Sequence, residues 1–208
     1  MFSEIYNEVK DYLESNNGDD DDRGFTFRKR SEHMWRVFVW AKRLIEGCTE
    51  NINKDALLTA ALFHDAGRYI SHSDHANQGA LIFRDYAIKK QYDKEKAEFI
   101  EYLIRSHASK KFLSEPDTPL ELVYLMEADM LDETGALGIV WDAMMSGLKS
   151  AQSYTQAYDL MLSHSCENSF FDTNPMRTEK GKEIWARKQA LNKEFIEQLK
   201  FDLGIASV

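Results

Sequence analysis

Apolar side chains recur at intervals of three and four along most of the chain, the spacing of one helical face. Phe2, Ile5, Tyr6, Val9 and Leu13 predict a helix over residues 2–14. The run GDDDDRG at 18–24 breaks that stripe, and its four like charges read as a solvated loop. Helical spacing resumes from Ser31, with Met34, Val37, Phe38, Ala41, Leu44 and Ile45 on one side. Asn53 is placed to cap the segment KDALLTAALFHDAG, which Gly67 would end. Asp74 can cap a helix reaching about Ala87, and Asp93 can cap KEKAEFIEYLIRSHA. Thr118-Pro119-Leu120-Glu121 has the form of a capping box with proline at the first helical position, predicting a helix to about Asp132. Helical patterns also cover 136–148 and 153–163. A long last one puts Ile184, Trp185, Lys188, Leu191, Phe195 and Leu199 on one side. No stretch alternates with period two for long enough to form a strand. The expectation is all-α: a single domain of roughly eight or nine helices joined by short loops.

Composition narrows the class. Of 208 residues, 43% are hydrophobic and 12% aromatic, enough for a buried core. The net charge of −9 disfavours a nucleic-acid polymer as partner, because phosphate contacts need a basic face. A small phosphorylated ligand needs only a few local arginines and is not excluded. Cys48 and Cys166 stand far apart without CxxC spacing, so neither a disulfide framework nor a zinc ribbon is suggested. The first residues mix acids into an amphipathic pattern rather than a basic-then-apolar leader, and no apolar run approaches membrane-spanning length. A soluble, cytoplasmic protein with no membrane partner is expected.

The titratable residues carry more information. Three of the six histidines, His64, His72 and His75, fall between Ala61 and Gly79. His33 shares a helical side with Val37, Trp40 and Leu44, where a lone histidine is more often a core residue than a ligand. His64 and Asp65 end an apolar run, and serve equally well as metal ligands or as a helix C-terminal histidine followed by a turn. Asp129 is more telling, because it continues the buried stripe of Leu122, Leu125 and Met126 and therefore needs a cation, a metal or a proton. His107 repeats the situation behind Ile100, Leu103 and Ile104. His75 begins a helix, whereas His72 and His164 read as loop residues outside any ligand shell. Mixed imidazole and carboxylate donors suit Mn, Fe, Co, Ni, Zn or, less well, Mg.

The order His33, His64-Asp65, Asp129 in an all-α chain resembles the HD-domain superfamily of metal-dependent phosphohydrolases. HMWRVFVWAKRL is similar to the family's first histidine helix, with an arginine three residues after the ligand. LLTAALFHDAGR resembles the defining His-Asp helix. LMEADMLDETGALGI and RTEKGKEIWARKQALNKEFIEQL resemble the last-aspartate segment and the C-terminal helix of small bacterial members. The likeness runs from about residue 30 to 200. It implies one HD-type domain over 1–208, with an N-terminal helix and acidic loop at 1–24, a metal-binding core at 25–135 and C-terminal helices at 136–208. It also implies that His33, His64, Asp65 and Asp129 hold one divalent ion. Members with two ions use two further histidines, and His75 in HANQG and His107 in IRSH stand where that pattern puts them, with Asp65 bridging. The acidic run before the first histidine helix departs from the pattern, as an insertion at the mouth of the site would.

Such a site implies water activated by one or two divalent ions, with fixed cations stabilising the charge that develops on phosphorus. Arg36, one turn from His33, and Arg68, just after the doublet, are the candidate phosphate contacts. Arg84 and Arg105 are read as solvated surface residues by default. Asp132 and Glu133 follow Asp129 by a turn and can orient a water or pass a proton, or merely solvate a helix end; the dipole disfavours the latter for Asp132. The expected activity is hydrolysis of a phosphomonoester or phosphoanhydride bond in a small metabolite, a nucleotide first of all. Two alternatives use the same residues: a diiron oxygenase, and a sensing module with little turnover.

Overall fold

The computed structural model describes residues 1–20, 25, 27–148, 151–167 and 173–205, and among these every regular element is a helix. In chain order they are α1 (Phe2–Ser15), α2 (Arg30–Leu44), α3 (Lys54–Phe63), α4 (His75–Lys89) and α5 (Lys94–Ser106). A short 3-10 turn, Lys110–Ser114, precedes α6 (Leu120–Leu131), α7 (Ala136–Leu148), α8 (Tyr154–Glu167) and α9 (Glu179–Asp202). The all-α expectation holds, and the periodicity placed each helix. No described helix is long and apolar enough to cross a membrane.

The chain divides into two units, Met1–Asp129 and Met130–Val208. In the first, α3 is the central element, packed against α1, α2, α4 and α5. Its residues from Ala56 to Phe63 are buried on every side, as an all-round apolar helix requires. Leu57, Leu58, Leu62 and Phe63 are within that core, each contributing about 1.5–3 kcal/mol by leaving water. Asn53 caps α3 by accepting the Ala56 N–H (3.0 Å), and Asp93 caps α5 by accepting that of Lys96 (3.0 Å), both as expected. In the second unit α7, α8 and α9 pack on one another. Trp185 of α9 is fully buried there and donates its indole N–H to the Thr173 carbonyl (3.1 Å).

Five local expectations need correction. Asp74 stands at the N-cap position of α4 without a side-chain bond to the helix backbone; its carboxylate accepts from the Asn77 and Gln78 side-chain amides instead. The acidic run is not wholly solvated: Asp19 is buried and its carboxylate accepts the Ser31 N–H at 2.7 Å, capping α2 from a distance in sequence. Asp20 pairs with Lys29 beside it; residues 21–24 of that run lie outside the described residues. The helix before the His-Asp doublet stops at Phe63 rather than at Gly67, and residues 64–70 continue as turns. The Thr118–Glu121 pair is not a reciprocal capping box. Thr118 donates its hydroxyl to the Phe112 carbonyl (2.7 Å) and Glu121 accepts the Asn53 N–H (2.6 Å), so the two side chains tie the start of α6 to other segments. Finally, His164 belongs to α8, which extends to Glu167, and not to a loop.

Candidate metal centre

Five helices of the first unit converge their polar residues on one point. His33 comes from the first turns of α2, His64 and Asp65 from the turn that follows α3, and His75 from the first position of α4. His107 closes α5, and Asp129 lies near the end of α6. His33 Nε2 stands 3.2 Å from His64 Nε2, 3.7 Å from Asp65 Oδ2 and 3.5 Å from Asp129 Oδ1. His64 Nε2 is 3.7 Å from the same Asp129 oxygen. The other oxygen of Asp65, Oδ1, faces His75 Nε2 at 3.4 Å and His107 Nε2 at 3.7 Å. Asp65 thus separates two donor groups, one on each of its oxygens. Each group is compact enough for an ion: His33, His64 and Asp65 on one side, Asp65, His75 and His107 on the other.

The imidazoles are oriented from behind. Nδ1 of His64 meets the Ala61 carbonyl at 2.9 Å, that of His75 the His72 carbonyl at 2.8 Å, and that of His107 the Ile104 carbonyl at 2.6 Å. A carbonyl can only accept, so each Nδ1 carries a hydrogen, and in its neutral form each ring presents the lone pair of Nε2 to the centre. Lone pairs and carboxylate oxygens facing inward from buried and half-buried positions are a donor set for a hard or borderline divalent cation, and the residues fit such an ion. The carboxylates stay ionised. Burial pushes Asp65 up, but the His107 contact and the charges of His64, His33 and Arg30 outweigh it and hold the carboxyl well below the usual range. Asp129 shows the same balance, with burial opposed by Lys110, His33 and His64.

The family model of the HD domain matches residues 30–134, the stretch that contains all six of these residues. The chain belongs to the HD-domain family. Solved HD structures share its fold. An HD-superfamily hydrolase from Bacillus thuringiensis superposes with a TM-score of 0.73 at 22% identity, covering 99% of this chain and 97% of that one. A predicted HD-superfamily hydrolase from an uncultured Thermotogales bacterium gives 0.65 at 20% identity, over 97% and 92%. Bacillus subtilis YpgQ in complex with ADP gives 0.64 at 21% identity, over 95% and 97%. No curated protein sequence matches the chain.

Several charged residues lie around this HD centre. Arg36 lies along its own helix with Glu32 at 4.0 Å. Arg68 reaches both Asp65 Oδ1 (3.9 Å) and His72 Nε2 (3.4 Å), and its buried Nε has no hydrogen-bond partner. Arg84 and Arg105 both turn to Glu101, at 2.6 and 3.6 Å. Asp132 is buried in the second unit, directly after α6. Two cations at the centre escaped the sequence reading. Arg30 is fully buried and donates to Asp65 Oδ2 at 2.8 Å, and Lys110 donates to Asp129 Oδ2 at 2.7 Å. Arg30 precedes His33 by one helical turn, a spacing that puts both on one face; that was the available signal.

Protons compete with cations for the Nε2 lone pairs. Burial pushes His107 below its ordinary value, against the Asp65 contact that raises it. A lowered value keeps this imidazole neutral, and therefore able to ligate, to more acidic pH than a free one. Ion occupancy measured by equilibrium dialysis should be flat down to the ordinary imidazole value of about 6.5 and fall only as pH drops below it. Unchanged occupancy at about pH 4, below every ordinary imidazole value, would remove the histidines from the ligand set.

Proposed function

We propose that this HD-domain chain is a metal-dependent phosphohydrolase acting on a small phosphorylated metabolite, and that the substrate is a nucleotide. The observation that carries the reading is the position of Asp65 between two imidazole groups, with His33 facing one oxygen and His75 and His107 the other. In this reading His33, His64, Asp65 and Asp129 hold a first divalent ion, and Asp65, His75 and His107 a second. Ions bound there supply Lewis-acid polarisation of phosphoryl oxygens and acidify a water.

The chain's own charges favour an anionic substrate. Each of the two carboxylates already has a cation on it, Arg30 on Asp65 and Lys110 on Asp129. Each divalent ion adds further positive charge, which the phosphate of an ester or anhydride would offset. Arg68 adds a guanidinium whose buried Nε lacks an acceptor, a donor suited to a phosphoryl oxygen. In the overall reaction the water oxygen bonds to phosphorus, the bond from phosphorus to the leaving oxygen breaks, and the proton lost by the water balances that oxygen. Bacillus subtilis YpgQ, which shares the fold, has been seen in complex with ADP; this supports a nucleotide as the phosphorylated group.

The test is a panel of nucleoside mono-, di- and triphosphates, incubated with the protein and Mn²⁺, with phosphorus-31 NMR identifying the products. Hydrolysis of at least one nucleotide, lost on addition of chelator, is expected. Absence of any hydrolysis, together with tightly held iron and a visible redox-active absorption, would move the assignment to an HD-type oxygenase.

A further inference from the structure

Two glycines interlock the end of α3 with the start of α4. A methyl group on Gly67 would lie 2.4 Å from the Gly79 nitrogen, 2.5 Å from Gln78 Cβ and 2.5 Å from the His75 carbonyl oxygen. One on Gly79 would lie 3.0 Å from the Phe63 carbonyl oxygen, 3.1 Å from that of His64 and 3.4 Å from Ile104 Cγ2. Most of these neighbours are backbone, which cannot swing aside as a side chain can. Gly67 does not have the left-handed conformation of a helix cap, so close approach is its structural reason. The segments held together are those of His64-Asp65 and His75, while Ile104, beside Gly79, supplies the carbonyl that orients His107.

We infer that Gly67 and Gly79 are positioning residues that build the second ion subsite by clasping α4 onto the His-Asp turn. The argument rests on the two-ion reading proposed above and adds what determines occupancy of the second site. His33, His64, Asp65 and Asp129 come from α2, the His-Asp turn after α3 and α6, and none of these four side chains is carried by α4. The Asp65–His75 separation of 3.4 Å does depend on it. Bulk between the two segments pushes His75 away from Asp65 Oδ1 and leaves the first donor group in place. The clasp acts on the second ion selectively.

Mn²⁺ titration followed by electron paramagnetic resonance tests this on four proteins: wild type, Gly79→Ala, His75→Ala and Ile5→Ala. Gly79→Ala is preferred to Gly67→Ala, whose backbone overlap threatens folding itself. Ile5, a core residue of α1 far in sequence from any ligand, controls for lost stability alone. Wild type and Ile5→Ala should bind two ions. Gly79→Ala should keep the first with unchanged affinity and bind the second at least about tenfold more weakly, the scale of disturbed ligand orientation. A Gly79→Ala protein that binds both ions normally, or loses both, overturns the clasp. If His75→Ala still binds two ions, the two-ion reading fails and the clasp with it. If His75→Ala loses one ion and Gly79→Ala loses none, only the clasp fails.

Discussion

Asp65→Asn is expected to abolish ion binding and to lower turnover by roughly three orders of magnitude or more, the scale of several kcal/mol of lost transition-state stabilisation. Asp65 lies within 4 Å of His33, His75, His107, Arg30 and Arg68. Asp129 meets His33 and His64 through Oδ1, while its Oδ2 is held by Lys110, so it does not reproduce the two-sided contacts of Asp65. Asparagine is chosen over alanine because alanine would leave Arg30 facing an empty space in a buried setting. The amide keeps the shape and one acceptor oxygen. The checks are ion content by plasma mass spectrometry and product formation against the wild-type substrate; an Asn variant that retained bound ions and normal turnover would remove Asp65 from the centre.

Arg30→Met should produce the largest loss of stability among single changes at the centre. The guanidinium is 3% exposed and its Asp65 partner 6%, at 2.8 Å. Removing one partner of a buried ion pair leaves the other charge desolvated and costs about 3–5 kcal/mol. For a protein of this length that corresponds to a fall in thermal midpoint on the order of 10 °C. The loss should shrink when Mn²⁺ is present, since an ion against Asp65 restores the missing positive charge. Differential scanning calorimetry with and without Mn²⁺ measures both quantities. Equal midpoints of variant and wild type in chelator would mean that Asp65 does not depend on Arg30.

The helices were legible because nearly all of them are amphipathic. Met34, Val37, Phe38, Ala41 and Leu44 mark one face of α2 in the sequence as plainly as in the structure. Asp129 was legible for the opposite reason, as a charge on an apolar stripe, and the likeness to HD proteins placed His33, His64 and Asp65 beside it. Arg30 and Lys110 were not legible. A charged residue at the start of a helix or in a short turn is exposed by default, and only the folded chain shows which carboxylate each one meets. Asp19 was hidden inside a run of like charges, although it is buried against the start of α2. Gly67 illustrates a different limit. Its position after the helix suggested a cap, whereas its function is an approach to Gly79, and a contact between chain segments has no periodicity to reveal it. His72 looked like a bystander, and its side chain is exposed, yet its carbonyl orients His75.

The central claim is that the histidine and aspartate cluster holds divalent ions. Its most direct measurement is the number of ions per chain after chelation, reconstitution with Mn²⁺ and removal of excess, by plasma mass spectrometry. Two ions are expected for the wild type, one for His107→Ala and none for Asp65→Asn. A wild-type chain that retains no ion would contradict the account, as would an Asp65→Asn chain that retains as many as the wild type.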